Sequence, residues 1–401
     1  ERLHQWRDHP HRRRHPDAAA VSGARHVGPL SGLSVIELEG LGPAPFCGML
    51  LADLGADVVS VGRRSSSSER PAAISERGKR SIALDLKQAE GVEAVLRLCG
   101  NADVLIEGFR PGVTERLGLG PEPCMARNPR LVYGRMTGWG QTGPLAAAAG
   151  HDINYISLSG ALHAIGRAGE PPVPPLNLVG DFGGGAMFLA FGLLAAVYEA
   201  GRSGKGQVVD ASMVEGSAAL LHMQYSMLAL GLWRDERGAN LLDGAAHFYD
   251  TYQTADGRYV SIGSIEPQFY QALVEIAGLD PQEFAPQLDP ARWPMLKQRL
   301  AEVIKGKTRD EWCALMEGTD VCFAPVLSMT EAPRHAHNRA RASFLELAGV
   351  TQPAPAPRFS RSSPGLPAAP RPAGSDTEAV LTAAGYDETE LERLRQLGVL
   401  T

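Results

Sequence analysis

The sequence predicts an α/β fold, a Rossmann-like, doubly wound parallel sheet in a large domain, followed by a smaller α+β domain. Two observations predict this class. Between residues 33 and 135, short β-rich runs alternate with helical segments, which is the pattern of βαβ units and parallel sheets. From about residue 241, alternating strands around a tight turn are followed by amphipathic helices. A chain of 401 residues is long enough for each domain to bury its own core.

The first half of the chain supplies the large domain. Strands are predicted at 33–38, 57–61, 80–85, 103–107 and 130–135, with helices at 46–54, 89–99 and 114–117. The turn after the first strand, residues 40–45, places prolines where a G-x-G-x-x-G loop would approach a pyrophosphate, which disfavours a nicotinamide cofactor. The apolar run 186–198 predicts a buried helix, shorter than the roughly 20 residues that a membrane span needs.

The second half predicts the smaller domain and a return of the chain. Residues 247–262 alternate around Asp256-Gly257 and predict a β-hairpin. Helices are predicted at 267–277, 293–304, 309–317, 377–384 and 388–397. We therefore divide the chain into a disordered extension at 1–29, a large domain at 30–211, a linker at 212–240, a small domain at 241–325, an extended proline-rich return linker at 326–372 and C-terminal helices at 373–401.

Composition excludes several classes of function. A net charge of −6 argues against sequence-independent nucleic-acid binding, which depends on surplus Lys and Arg. The five cysteines are scattered and never form C-x-x-C, so we expect neither a disulfide framework nor a metal site. Residues 1–29 lack the apolar core of a secretory signal. We expect a cytoplasmic protein without membrane insertion.

The chemistry of the chain is concentrated at His151 and Asp181, which stand 30 positions apart beside glycines. A histidine and a buried aspartate can serve as two bases for a weakly acidic proton, because both can titrate near the working pH. Taken alone, His151 is better explained as a helix-capping or core histidine, and Asp181 as a turn residue before a glycine run. Asp152 and Asn154 are plausible helix N-caps.

The segment Gly150-His-Asp-Ile-Asn-Tyr155 resembles the α-methylacyl-CoA racemases, a branch of the family III CoA-transferase superfamily. Six further blocks carry the resemblance, at residues 51–59, 79–87, 106–113, 138–144, 204–211 and 263–270. It implies a CoA-binding large domain and an enzyme that racemises 2-methylacyl-CoA thioesters. His151 and Asp181 would be the catalytic bases. In the interlocked homodimer that the resemblance implies, Glu266 would orient His151 of the other subunit.

The resemblance also implies where CoA binds. It implies no cofactor apart from the CoA that is part of the substrate. Cations at the carboxyl ends of strands suit its phosphates, although Arg63 and Arg64 are not distinguished. Met136, Met187 and Met213 are candidates for an acyl channel, with the plain core as the alternative. The implied CoA-binding residues are Arg63, Leu84, Asp85, Leu86, Lys87, Gly108, Phe109, Arg110, Arg116, Gly150, His151, Asp152, Ile153, Asn154 and Tyr155.

Two other functions compete with the racemase. A CoA-transferase of the same superfamily would use Asp181 as a nucleophile, forming an acyl anhydride and then an enzyme–CoA thioester. The His151 block disfavours it, because transferases generally lack that block. A regulatory acyl-CoA-binding protein is disfavoured because both bases and Glu266 are present. For the racemase, backbone N–H groups near residues 151–154 are the expected donors to the developing oxyanion.

Overall fold

The computed structural model describes residues 28–63 and 73–400. Its large domain is built on a six-stranded parallel sheet. Numbered along the chain, its strands lie in the order 3-2-1-4-5-6, which is that of doubly wound dinucleotide-binding folds, so the predicted fold class is confirmed. Arg64 and most of the predicted N-terminal extension lie outside the described residues. The strands are β1 Ser34–Leu38, β2 Asp57–Gly62, β3 Arg80–Ala83, β4 Val104–Glu107, β5 Val132–Thr137 and β6 Val208–Ser212.

Helices cover both faces of this sheet. Successive strand residues point to opposite sides, so Val35 and Val58 join one core while Ile36 and Val59 join the other. The first core includes residues of α1 and α7, and the second includes residues of α2. The helices are α1 Pro43–Asp53, α2 Ala89–Cys99, α3 Val113–Leu117, α4 Pro121–Arg127, α5 Asp152–Leu158, α6 Ala161–Ala164, α7 Met187–Ser203, α8 Met213–Leu220 and α9 His222–Ala229, with a 3-10 turn at Ile74–Glu76.

The sixth strand is absent from the sequence-based prediction. Residues 208–212 pair in parallel with β5 at the edge of the sheet, and Val208 and Asp210 remain exposed. An edge strand with a polar residue in a five-residue run lacks the continuous apolar pattern of a buried parallel strand. The segment expected to be a linker at 212–240 also contains two helices, α8 and α9.

The helix predicted at 186–198 is longer than expected. A π-helical stretch, Leu178–Ala186, leads directly into α7, and the combined helix has 26 residues and contains an 18-residue window with a mean hydropathy of 1.6. The prediction of a helix shorter than a membrane span is therefore wrong, because the glycine-rich residues 178–186 before it are themselves helical. By length and composition alone this helix could cross a membrane. In the fold, Leu189 and Leu193 on one side of it are buried against the sheet.

The small domain is a three-stranded antiparallel sheet with helices. The hairpin predicted around Asp256-Gly257 is confirmed as β7 paired with β8. Phe248, Trp293 and Trp312 belong to its separate core. Its strands are β7 Tyr249–Gln253, β8 Tyr259–Gly263 and β9 Phe323–Pro325, and its helices are α10 Pro267–Ile276, α11 Trp293–Ile304 and α12 Arg309–Met316.

The chain then returns to the large domain. The guanidinium of Arg77, which is buried, pairs with Asp53 and donates to the Gln352 side chain at 2.9 Å, which fastens the return segment. Leu400 bridges to Leu84 beside the sheet. The return contains a 3-10 turn at Ala332–Arg334, α13 Ala336–Ala340, the hairpin β10 Phe344–Leu347 and β11 Val350–Pro353, then α14 Thr377–Ala383 and α15 Glu388–Gln396.

Candidate active site

A cavity of about 530 Å³ opens at the carboxyl edge of the large sheet. The loops after β1, β4 and β5 form its walls, and β1 and β4 are the strands at which the strand order reverses. Open α/β sheets bind ligands at this switch point. The lining residues are Leu41, Gly42, Pro43, Ala44, Gly108, Phe109, Arg110, Pro111, Met136, Thr137, Gly138, Trp139, Ala146, Ala148, Gly150, His151, Tyr155, Asp181 and Met213.

His151 lies at the start of α5 and is exposed to this cavity. It is itself the N-cap residue, in an extended conformation with φ −132°. Its backbone N–H donates to Asn154 Oδ1 at 3.0 Å. The expectation that Asp152 or Asn154 would be the N-cap is therefore wrong: Asp152 is the first helical residue and Asn154 supports the cap from the third position.

Tyr155 fixes the backbone on which His151 stands. Its hydroxyl donates to the carbonyl of Gly150, and its ring meets the Trp139 ring edge-on, with centroids 4.7 Å apart. A Cβ at Gly138 would overlap the Tyr155 ring. Only a glycine therefore lets the loop after β5 pack this closely, and the packing orients the candidate histidine.

Asp181 lies on the opposite element, in the π-helical stretch before α7. Its N–H donates to Asp152 Oδ2 at 2.7 Å, and Asn177 Nδ2 donates to its Oδ2 at 3.0 Å. Burial raises the pKa of the Asp181 carboxyl; the Asn177 hydrogen bond opposes this rise, the charge of Asp152 adds to it and His151 opposes it. Gly42, with φ +74°, passes beside this carboxylate, and a Cβ there would lie 3.5 Å from Oδ2.

Seven of the predicted site residues meet at this cavity. They are Gly108, Phe109, Arg110, Gly150, His151, Tyr155 and Asp181.

The loop after β4 is held by buried charges. Glu107 accepts the Phe109 N–H at 2.7 Å and the Arg135 Nε at 2.8 Å. Arg135 also pairs with Glu115 of α3 at 2.7 Å. These bonds shape the segment from Gly108 to Arg110 that faces the cavity.

The remaining predicted CoA positions do not line the cavity. Arg63 is exposed after β2, and Lys87 is exposed after β3. The Lys87 N–H donates to Asp85 at 3.0 Å, and this bond, first among several, lowers the pKa of Asp85. Leu84 is fully buried in the core, so its side chain cannot meet a ligand. Leu86 is half-buried, Arg116 is exposed on α3, and Asp152, Ile153 and Asn154 lie in the first turn of α5.

Glu266 is not brought to the cavity within one chain. It precedes α10 in the small domain, where it is the exposed N-cap residue of that helix. The single chain therefore brings His151 and Asp181 to one cavity, and the role of Glu266 toward His151 stays a prediction.

Sequence reasoning missed several residues of the site. Asn177 precedes Asp181 by four positions, a spacing at which helical side chains meet, and this spacing was the available signal. The turn from Leu41 to Ala44 follows the first strand, where a parallel sheet places ligands. Met136 and Met213 line the cavity, whereas Met187 does not and is exposed. Among residues 28–63 and 73–400, no group of three His, Cys, Asp or Glu side chains is arranged to hold a metal ion.

Fold and site together define a doubly wound α/β protein with a histidine and an aspartate at a cavity on the carboxyl edge of its sheet. The chain belongs to CoA-transferase family III, whose profile matches residues 30–377. It is 50% identical over 368 residues to the Mus musculus protein named alpha-methylacyl-CoA racemase, covering 91% of this chain and 96% of that one.

Two further relatives extend the comparison. The Homo sapiens protein of the same name is 47% identical over 369 residues, with the same coverage of 91% and 96%. Among solved structures, a CAIB/BAIF family protein from Brucella suis superposes with a TM-score of 0.77 at 27% identity, over 89% of this chain and 99% of that one. The resemblance that the sequence motifs indicated is thereby confirmed.

Proposed function

We propose that this protein is an isomerase that interconverts (2R)- and (2S)-2-methylacyl-CoA thioesters. The observation that carries the proposal is the placement of His151 and Asp181 on one cavity at the switch point of the sheet. The name shared by the mouse and human relatives supports the substrate class, because nearly their whole length aligns at 47–50% identity.

The reaction needs two bases that carry one proton between them. In one direction the neutral imidazole of His151 removes the α-proton, and the electron pair of the broken C–H bond moves into an enolate. The protonated carboxyl of Asp181 then gives its proton to the opposite face of that carbon. The reverse direction uses the Asp181 carboxylate and the His151 imidazolium. A pKa of Asp181 raised by burial suits this exchange, because it narrows the gap to that of an imidazole.

The developing charge on the thioester oxygen needs donors. The Asn154 and Tyr155 amides donate to the His151 carbonyl at 2.8 and 3.3 Å, and the His151 amide donates to Asn154, so these three are occupied. In the first turn of α5 this leaves the Asp152 and Ile153 amides as the donors we propose.

The CoA portion is held, in this proposal, by the cations along the same edge of the sheet. Arg110 lines the cavity, while Arg63 is exposed after β2, Lys87 after β3 and Arg116 on α3. Guanidinium and ammonium groups pair well with phosphates. We propose no cofactor apart from the CoA carried by the substrate itself. The acyl chain would lie against Met136, Trp139 and Met213, where flexible methionines accommodate two positions of one chain.

We propose that the working form is a homodimer in which Glu266 of one subunit orients His151 of the other. Large apolar side chains exposed on α7 and just beyond α9, including Phe191, Tyr198 and Leu230, support a protein interface. Glu266 is exposed on the small domain and free to meet another chain. We also propose the cytoplasm as the compartment, which the five free thiols support.

The experiment that tests the proposal is incubation of one stereoisomer of a 2-methylacyl-CoA in deuterated water without any acceptor acid. We expect the α-carbon to lose its configuration while deuterium enters the α-position. A parallel reaction with an added carboxylic acid tests the transferase. Transfer of CoA to that acid, with the α-carbon unchanged, would favour the transferase and reject the racemase.

A further inference from the structure

We propose that Asp152 is a positioning residue that links the two candidate bases. Its side chain holds the backbone of Asp181, and its own backbone directly follows His151. This inference rests on the proposed racemase function and deepens it. The implied role of Asp152 as a CoA contact is a different one, because it concerns the substrate and leaves Asp181 out.

The geometry begins with a carboxylate buried between two elements. Asp152 is 7% exposed, and its Oδ2 accepts the backbone N–H of Asp181 at 2.7 Å. A Cβ at Gly180 would overlap Oδ2, so the chain entering Asp181 lies directly against this carboxylate. The bond therefore locks the backbone of one candidate base to the first helical residue after the other.

The second oxygen of Asp152 points to a role for charge. Its Oδ1 is buried and has no hydrogen-bond partner among the described residues. An asparagine could accept the same amide at a lower desolvation cost, because an ionised group is far more costly to bury than a neutral amide. What the carboxylate adds is a negative charge beside Asp181.

The groups that face Asp181 set the direction of this effect. The negative charge of Asp152 and burial both favour the protonated Asp181 carboxyl, whereas the Asn177 hydrogen bond and the nearby His151 favour its ionised form. Tyr155 and Arg110 line the same cavity. Asp152 thus helps to keep the shared proton on Asp181 while His151 is neutral, which is the state that starts one direction of the reaction.

Two variants separate the hydrogen bond that Asp152 accepts from the Asp181 amide from the negative charge of Asp152. Asp152→Asn keeps an oxygen for the Asp181 amide but removes the charge, so the pKa of Asp181 should fall and we expect the pH profile of kcat/KM to shift to lower pH. Asp152→Ala removes both. With Asp181 misplaced, we expect inversion to fall on the order of 10²-fold, while His151 still exchanges the proton on its own face.

The readout is deuterium incorporation with retained configuration, measured beside inversion for each stereoisomer. In Asp152→Ala, the ratio of exchange to inversion should rise for the isomer whose α-proton faces His151. Gly180→Ala, which pushes the same contact apart with Asp152 present, should raise that ratio as well. Should Asp152→Ala fail to fold, Asp152→Asn and Gly180→Ala carry the test.

Asp376→Asn is the matched control. Asp376 is also buried, and its Oδ2 accepts the Ser81 amide at 3.0 Å, away from the cavity lining. This variant should leave the pH profile and the ratio at wild-type values. An unmoved profile in Asp152→Asn, with exchange and inversion lost in parallel in Asp152→Ala, would overturn the inference and leave the racemase intact. A wild-type protein that neither exchanges the α-proton nor inverts the α-carbon would overturn both the inference and the proposed racemase function.

Discussion

The side-chain nitrogen of Asn177 lies 3.0 Å from Oδ2 of Asp181 and donates a hydrogen bond to it. This bond stabilises the ionised carboxyl, so its loss in Asn177→Ala should raise the pKa of Asp181 further. We expect the pH profile of kcat/KM to move to higher pH, opposite in direction to Asp152→Asn. Steady-state rates between pH 5 and 10 measure it. A profile that moves downward or stays in place would show that the bond does not act on the candidate base.

Replacing either candidate base should nearly abolish the reaction. We expect His151→Ala and Asp181→Ala to lower turnover by a factor on the order of 10² to 10⁴, the usual contribution of a positioned acid or base. Binding of CoA, measured by calorimetry, should change little. Thermal melting is the control, since a loss of folded protein equal to the loss of turnover would identify the residue as structural.

Glu266→Gln should reduce activity less than loss of His151 and shift the acidic limb of the pH profile to lower pH, because an anion beside imidazole favours its protonated form. Co-expressed His151→Ala and Glu266→Gln chains, purified as the mixed dimer, test the subunit arrangement. If Glu266 acts across the interface, one site of the mixed dimer contains both native residues and works at the full wild-type rate. Activity no higher than half that of a Glu266→Gln homodimer would place both residues in one chain.

Lys79→Met should destabilise the fold more at high pH than at low pH. Lys79 Nζ lies 2.7 Å from Glu37 Oε1 inside the large domain, where burial raises the pKa of Glu37 to about 8. The unfolded chain ionises this carboxyl near pH 4.3, so the wild type loses stability as pH rises to about 8 and then levels off. Loss of Lys79 raises the folded-state pKa of Glu37 further, so the variant goes on losing stability above pH 8.

Urea unfolding at pH 6 and pH 9 measures this effect, and the loss caused by Lys79→Met should be larger at pH 9 by about 1.4 kcal/mol, since pH 9 is one unit above the wild-type pKa of Glu37. Arg80→Met is the control. Arg80 is partly exposed and its partner Asp57 is exposed, so the loss should be at most about 1 kcal/mol and similar at both pH values. Equal losses for Lys79→Met at both pH values would contradict the burial argument.

The small domain should lose stability in mild acid because of His247. Tyr270 donates its hydroxyl proton to the Phe284 carbonyl at 2.8 Å, so His247 Nε2 is the donor to Tyr270, and Nδ1 has no partner among the described residues. Protonation would leave a buried N–H unpaired, and burial lowers the pKa of His247 to about 4.

The unfolded chain takes up this proton near pH 6.5 and the folded chain near pH 4. The free energy of unfolding should therefore fall by about 3 kcal/mol as pH falls through this window. His247→Gln should flatten this dependence, measured by urea unfolding at pH 7.5, 5.5 and 4.5. The exposed His222→Gln serves as the control and should keep the wild-type slope; the same slope in all three proteins would exclude His247 as its source.

Local sequence patterns predicted most elements to within a few residues. The helix expected at 89–99 is found at those positions, and the first strand differs by one residue. The hairpin around Asp256-Gly257 pairs as expected. These features depend on short-range preferences, namely the apolar period, turn-forming dipeptides and helix caps, which neighbouring residues determine among themselves.

The candidate site likewise combines features that the sequence indicates with contacts between residues far apart in the chain. From the sequence, the resemblance to the family marked His151 and Asp181 as the candidate bases, and the alternation of strands and helices predicted a doubly wound fold. Folding in three dimensions brings the loops after β1, β4 and β5 together, places Asp152 against Asp181 from 29 residues away, and leaves Glu266 outside the cavity lining. These are long-range contacts, set by strand order and close packing, and a linear pattern of residue types does not specify which distant side chains become neighbours.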